Sequence, residues 1–243
     1  PPLLSLTIDK PEASGSHAGD HRARSFAGNT VRTWLSPELT PRIEALAVKL
    51  RLTVFMLLFA AFAAAIRSYS RAPRFALGTD VAGRGQHELE GMIGLFTNQV
   101  TIVCDVGEDK TFAELAAATS RTLLGAYAHQ SVPLEAVLAA CMPARRAGAN
   151  PWFRIKCVMP NVPLPKLHFP GVAACLMDVS PATSKFDLTL FIEQFEKRLR
   201  LSAEYATARF DTGGIECLLR RFTRIVEAIS EDPEIRVSAL LNL

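Results

Sequence analysis

At 243 residues, 49% hydrophobic and 21% charged, the chain has the composition of a globular protein with a full core, either one large domain or one and a half, rather than that of a disordered or fibrous one. Its net charge of +3, from 27 basic and 24 acidic residues scattered along the chain, argues against a nucleic-acid or anionic-membrane surface. The longest apolar run, Val54 to Ile66, falls short of the about 20 residues a membrane span needs.

Residues 1–28 read as a polar, small-residue lead-in or linker, followed by one structured unit over residues 29–243. The opening Pro-Pro-Leu-Leu has no basic leader, so no secretory signal is expected, and a start without Met is expected to reflect excision or processing. Thr30 to Leu35 alternates like a strand. Ser36-Pro37-Glu38 opens a helix to about Leu50, with Pro in the first turn. Thr53 caps a second helix, apolar on nearly every side, that ends near Tyr69. Arg74 to Val81 is predicted as a strand, and Asn98 to Cys104 as another after a glycine-rich loop. Thr111 to His129 is a helix whose buried face is Phe112, Leu115, Ala116, Thr119, Leu123 and Ala126. A short helix follows Pro133, and Arg145 to Pro151 is a loop. Phe153 to Met159 is a strand, and a Pro-rich piece runs over 160–170. Phe186 to Phe195 and Arg198 to Tyr205 form a hairpin, and Asp211 caps a last helix. Strands and helices interleave without strict βαβ order, which gives an α/β (α+β type) fold: a mixed β-sheet packed by helices.

The five cysteines, Cys104, Cys141, Cys157, Cys175 and Cys217, contain no C-x-x-C pair. They are expected to be reduced and mostly buried in a cytoplasmic protein, with no metal site. The glycines at 83, 85, 91 and 94 do not make a dinucleotide fingerprint, and no helix follows them.

Gly78 to Gln99 holds five glycines and then an apolar run through Met92, Ile93, Leu95 and Phe96. Glycine at that density marks backbone that turns or approaches something closely, and the apolar run reads as a return into a strand. A loop joining two buried strands is a good place for a site wall.

Six segments in register resemble the condensation domains of nonribosomal peptide synthetases. GTDVAGRGQHELEGMIGLFTNQV is similar to the family's G-T-x-V-A-x-R, E-L-E-G and I-G-x-F-V-N-T elements. AHQSVPLEAV resembles H-Q-D-x-P-F-E, RRAGANPWFRI resembles R-x-x-S-x-N-P-L-F, and SKFDLTL is similar to the K-F-D-L strand. AEYATARFD and the apolar helix FMLLFAAFAAAIRSYS complete the set. Departures include Thr97 for Val, Gln99 for Thr, Ser131 for Asp and Leu134 for Phe. The larger one is that the catalytic H-H-x-x-x-D-G is missing. The five histidines, His17, His21, His87, His129 and His168, include no adjacent pair and begin no H-x-x-x-D.

The resemblance therefore implies the C-terminal lobe of a two-lobed, chloramphenicol acetyltransferase-like fold, inactive alone. Its expected partners are an acyl or peptidyl carrier protein and the N-terminal lobe. The phosphopantetheine arm would ride on the carrier, with no cofactor bound directly. Gly83, Arg84, Gly94, Phe96, Asn98 and Ser184 would line the tunnel or its floor, and no residue is assigned a catalytic role. The residues themselves leave alternatives. The loop could be a plain sheet connection and Arg84 an ion-pair anchor. Asn98 could bond backbone at a strand start, and Ser184 could serve a turn. His129 is either a cap between two helices or a nonstandard base. Asp187, charged on one strand face, needs a cationic partner if it points inward, and Arg84 is the candidate. Two other functions stay open: an interaction half-domain that recruits a carrier or pairs in trans, and a stand-alone acyltransferase. An isolated lobe is also expected to expose an apolar or glycine-rich face and to self-associate.

Overall fold

The computed structural model describes residues 6–7, 25–70, 72–85, 87–141, 153–160, 169–172, 177–195 and 197–243. Trp152, Cys175 and most of RRAGANPWFRI lie outside the described residues. The strands are β1 (Gly28–Trp34), β2 (Arg74–Val81), β3 (Asn98–Asp105), β4 (Ile155–Val158), β5 (Leu188–Phe195) and β6 (Arg198–Ala206). The helices are α1 (Leu39–Lys49), α2 (Val54–Tyr69), α3 (Phe112–Ala128), α4 (Leu134–Cys141), α5 (Thr212–Glu231) and α6 (Val237–Leu240).

The six strands form one mixed sheet in the order β1-β6-β5-β4-β2-β3. The β5–β6 hairpin, β1–β6 and β2–β3 are antiparallel. The pairs β2–β4 and β4–β5 are parallel. The carboxyl ends of β2 and β4 therefore open on the same edge of the sheet.

The predicted caps set the helix starts. The Thr53 hydroxyl accepts from Met56 N–H at 3.1 Å, and the Asp211 carboxylate accepts from Gly214 N–H at 2.7 Å. Thr111 and Glu114 bond reciprocally as a capping box at α3. Pro37 lies one residue before the Glu38 cap of α1 rather than in its first turn, because the chain first closes a turn from Leu39 N–H to Ser36 O. Leu6 is a further difference from the expectation of a polar lead-in. It is buried in the main core, and Thr7 N–H bonds Tyr69 O at 2.8 Å.

The two sheet faces differ. Phe75, Leu77, Ile102, Cys157, Leu190 and Leu201 share one core with α1, α2, α3, α5 and α6. From Met56 to Ile66 every α2 residue is buried in it. Each large side chain there is worth about 1.5–3 kcal/mol of burial, so α2 anchors the fold. The opposite face carries a smaller cluster at one corner, where Leu134 and Leu138 of α4 meet Ala76 and Phe153. Elsewhere it mixes polar side chains with the aromatic Trp34, Phe191 and Phe195. One register row crosses all six strands as Thr30, Glu204, Thr189, Lys156, Gly78 and Thr101.

Candidate functional site

The β2–β3 connection is a preformed structure. Gly83 has φ +65°, and a Cβ there would fall 1.9 Å from Phe96 O, so glycine is required both by backbone and by close approach. Gly85 and Gly91 have open space around them and carry no such demand. Arg84 donates to the carbonyls of Leu89, Met92 (2.9 Å) and Gly94 (3.4 Å), and its guanidinium lies 4.4 Å from the centre of the Phe96 ring. Arg84 thus holds its own loop through carbonyls.

That cage turns the apolar run outward. Ile93 and Leu95 are more than nine-tenths exposed, and Met92 is half exposed. The run is therefore not a return into a buried strand. Regular pairing resumes only at Asn98, in β3, an edge strand.

Asn98 bonds backbone, as a strand-start asparagine would. Its amide donates to Gln130 O (2.9 Å) and Val132 O (2.7 Å), and its carbonyl accepts from Gln99 N–H (2.9 Å) and Leu134 N–H (3.3 Å). It ties the end of the glycine loop to the HQSVP segment. His129 is the exposed C-cap of α3, its N–H bonded to Ala126 O and its own carbonyl accepting from Val132 N–H. Ser184 is buried in a turn, its hydroxyl donating to Phe186 O at 2.6 Å.

Asp187 is buried and does need cations, but Arg84 is not its partner. Arg154 Nε at 3.4 Å and Arg209 Nε at 3.6 Å face its carboxylate, because those residues flank it across the sheet while Arg84 is committed to its loop. Of the four described cysteines, Cys104 and Cys157 are buried, whereas Cys141 and Cys217 are exposed, which corrects the expectation of mostly buried thiols. Burial pushes the Cys104 thiol up to about 12 and raises that of Cys157 as well. Both stay protonated and unreactive at neutral pH.

The most chemically distinctive group belongs to none of the sequence candidates. Lys156 is buried in the middle of the polar row, its Nζ 2.8 Å from Asp80 Oδ2 and 2.7 Å from Oδ1. Only the Oδ2 contact has hydrogen-bond alignment; Oδ1 is a close ionic contact. The Phe186 ring lies 4.5 Å from the ammonium. Asp80 also lines a cavity of about 330 Å³ at the carboxyl ends of β2 and β4, with Phe55, Met56, Thr79, Tyr127 and Met159. A charge inside each of the apolar strings GTDV and RIKCV was the available signal, but strand register was needed to pair them.

A second polar cluster lies toward the β1 edge. Arg200 makes paired contacts with Asp178 (2.5 and 3.1 Å) and Glu193 (3.1 Å each), and the Ser202 hydroxyl donates to Glu193 at 2.6 Å. Asp178 is thereby fixed to the sheet, while its neighbours Met177 and Val179 are about four-fifths exposed.

Comparison with known proteins gives a consistent result. The family description "Condensation domain" matches residues 16–243. The chain is 31% identical to the dimodular nonribosomal peptide synthase of Bacillus subtilis (strain 168), over 89% of this chain and 9% of that protein. It is 28% identical to tyrocidine synthase 3 of Brevibacillus parabrevis, over 96% of this chain and 4% of that protein. The curated relatives are far longer; the chain spans less than a tenth of each of these two. Among solved structures, the X-domain from teicoplanin biosynthesis superposes with a TM-score of 0.79 at 22% identity, covering 90% of this chain and 51% of that one. The condensation domain of the monacolin K polyketide synthase MokA gives 0.79 at 17% identity, covering 98% and 54%. At such identities the structural likeness speaks for the fold.

Proposed function

The chain belongs to the condensation-domain family of nonribosomal peptide synthetases, and from that premise we propose that it is the C-terminal lobe of such a domain, inactive alone. The observation that carries this reading is the coverage: nearly the whole chain matches about half of each single-domain solved structure. Two further observations support it. The sequence has no H-H-x-x-x-D-G from which a base could come. The caged loop also presents Met92, Ile93 and Leu95 to solvent, as a surface awaiting a partner would.

In this reading the complete domain joins carrier-bound acyl or aminoacyl units in the cytoplasm. The loop from Gly83 to Asn98 forms the tunnel floor, with Ser184 beside the tunnel. Each substrate arrives on the phosphopantetheine arm of a carrier protein, which docks partly on this lobe. A second reading, a non-catalytic half-domain that recruits a carrier or pairs in trans, is favoured by the same missing motif.

The test supplies 1–243, in trans and as a fusion, with an N-terminal lobe bearing H-H-x-x-x-D-G and two loaded carriers. Amide product is expected from the fusion or the mixture and from neither lobe alone. Product from 1–243 alone overturns the inactivity. A folded fusion that binds both carriers and makes no product favours the non-catalytic reading.

A further inference from the structure

We propose that the cavity at the carboxyl ends of β2 and β4 is a side-chain subsite of the condensation tunnel, in which the Asp80–Lys156 pair selects uncharged side chains that bear a hydrogen-bond donor. The proposal rests on the condensation reading for its place in a tunnel, but its site stands on geometry. Ligands of open mixed sheets bind beyond the carboxyl ends of parallel strands, and a volume of about 330 Å³ lies within the range of ligand sites. It admits one residue up to the size of an aromatic side chain.

The lining sets the chemistry. Val54, Phe55, Met56 and Met159 supply its apolar part, and Thr53, Thr79 and Tyr127 add hydroxyls, so the wall is mixed. Burial pushes the Tyr127 phenol up to about 12, so that group stays neutral. Among the described residues, the one charge in the wall is Asp80, whose side chain is a quarter exposed. Lys156, 7% exposed, closes on it from behind. The pair is neutral as a unit. A cationic ligand would compete with Lys156 for Asp80, and an anionic one would meet the Asp80 carboxylate first. Either arrangement leaves a buried charge poorly matched. An uncharged O–H or N–H can donate to the carboxylate without breaking the pair. The same logic predicts what removal of one partner does: the remaining charge becomes the selector.

The test uses the 243-residue chain and three probes, the N-acetyl N-methylamides of tyrosine, lysine and glutamate, followed by NMR titration. The unsubstituted chain is expected to bind the tyrosine probe saturably and the other two about tenfold more weakly. Lys156→Met should strengthen the lysine probe about tenfold, and Asp80→Asn should do the same for the glutamate probe. Asp80→Asn with Lys156→Met should show neither gain, and it guards against a single variant that fails to fold. No saturable binding by the folded chain, or a charge preference unmoved in the single variants, overturns the subsite. The readout does not require amide formation. Complementation by an N-terminal lobe without probe binding removes the subsite alone. Charge-reversible binding in a chain that never complements upholds the site and removes its place in a tunnel.

Discussion

Two glycines of one loop separate what backbone demands from what composition suggests. Gly83 sits at φ +65° with Phe96 O where a Cβ would be, and Gly91 sits in open space. Left-handed backbone costs a non-glycine residue about 1–2 kcal/mol before any overlap is counted. Gly83→Ala should therefore destabilise the chain by more than about 2 kcal/mol in urea unfolding, and Gly91→Ala by less than about 0.5 kcal/mol. Equal losses would mean that the loop geometry is not fixed by Gly83. Asp178 offers a pH test of the same kind. Hydrogen bonds from Arg200, then the charges of Arg200 and Arg32, hold its carboxyl below the usual carboxylate range. A lowered folded pKa stabilises above the unfolded value, about 3.9, and that contribution is lost as pH falls through the folded one. The carboxylate is half exposed, so the gain is small. An NMR titration should place the Asp178 midpoint below the unfolded value, and Arg200→Gln should move it upward.

Between elements, Asn98 joins the glycine-loop motif to the HQSVP motif. Three of its four hydrogen bonds connect the start of β3 to the backbone from Gln130 to Leu134, between α3 and α4, and the fourth is local, to Gln99 N–H. Asn98→Asp keeps the acceptor and replaces two donations with an oxygen facing two carbonyls. The expected loss is about 1–3 kcal/mol at pH 7. Lowering the pH until the new carboxyl protonates should recover part of it, relative to the unsubstituted chain. Most element boundaries were legible because their signals are local. Thr53, Thr111 and Asp211 each cap the helix they precede, and the strands Arg74–Val81 and Asn98–Asp105 follow from patterning and turns. The run Met92 to Leu95 was not legible, because its hydrophobicity predicts burial and only the Arg84 carbonyl cage explains why it points outward. Asp80–Lys156 and Asp187–Arg154–Arg209 are likewise products of tertiary register, 76 residues apart in the first case, which spacing along the chain does not encode.

At the scale of the whole molecule, two apolar segments stand on the surface although the main core is complete without them. Met92, Ile93 and Leu95 are held out by Arg84, and Met177 and Val179 flank Asp178, which Arg200 holds to the sheet. Each arginine also stacks on a phenylalanine, Phe96 in one case and Phe195 in the other, 4.4 Å from the ring centre. Segments fixed in this way lose little conformational entropy when a partner covers them, so their cost to an isolated chain is exposure rather than disorder. Replacing Met92, Ile93 and Leu95 together by Lys, Thr and Lys should leave the unfolding free energy within about 0.5 kcal/mol per site, since these side chains are outside the core. The same replacement should shift sedimentation velocity profiles from associated species toward monomer and reduce binding of a hydrophobic dye. If the triple variant unfolds several kcal/mol more easily, the loop is part of this chain's own core. If the unsubstituted chain is already a monomer that binds no dye, these side chains are ordinary surface and the case for a covering lobe loses its surface evidence.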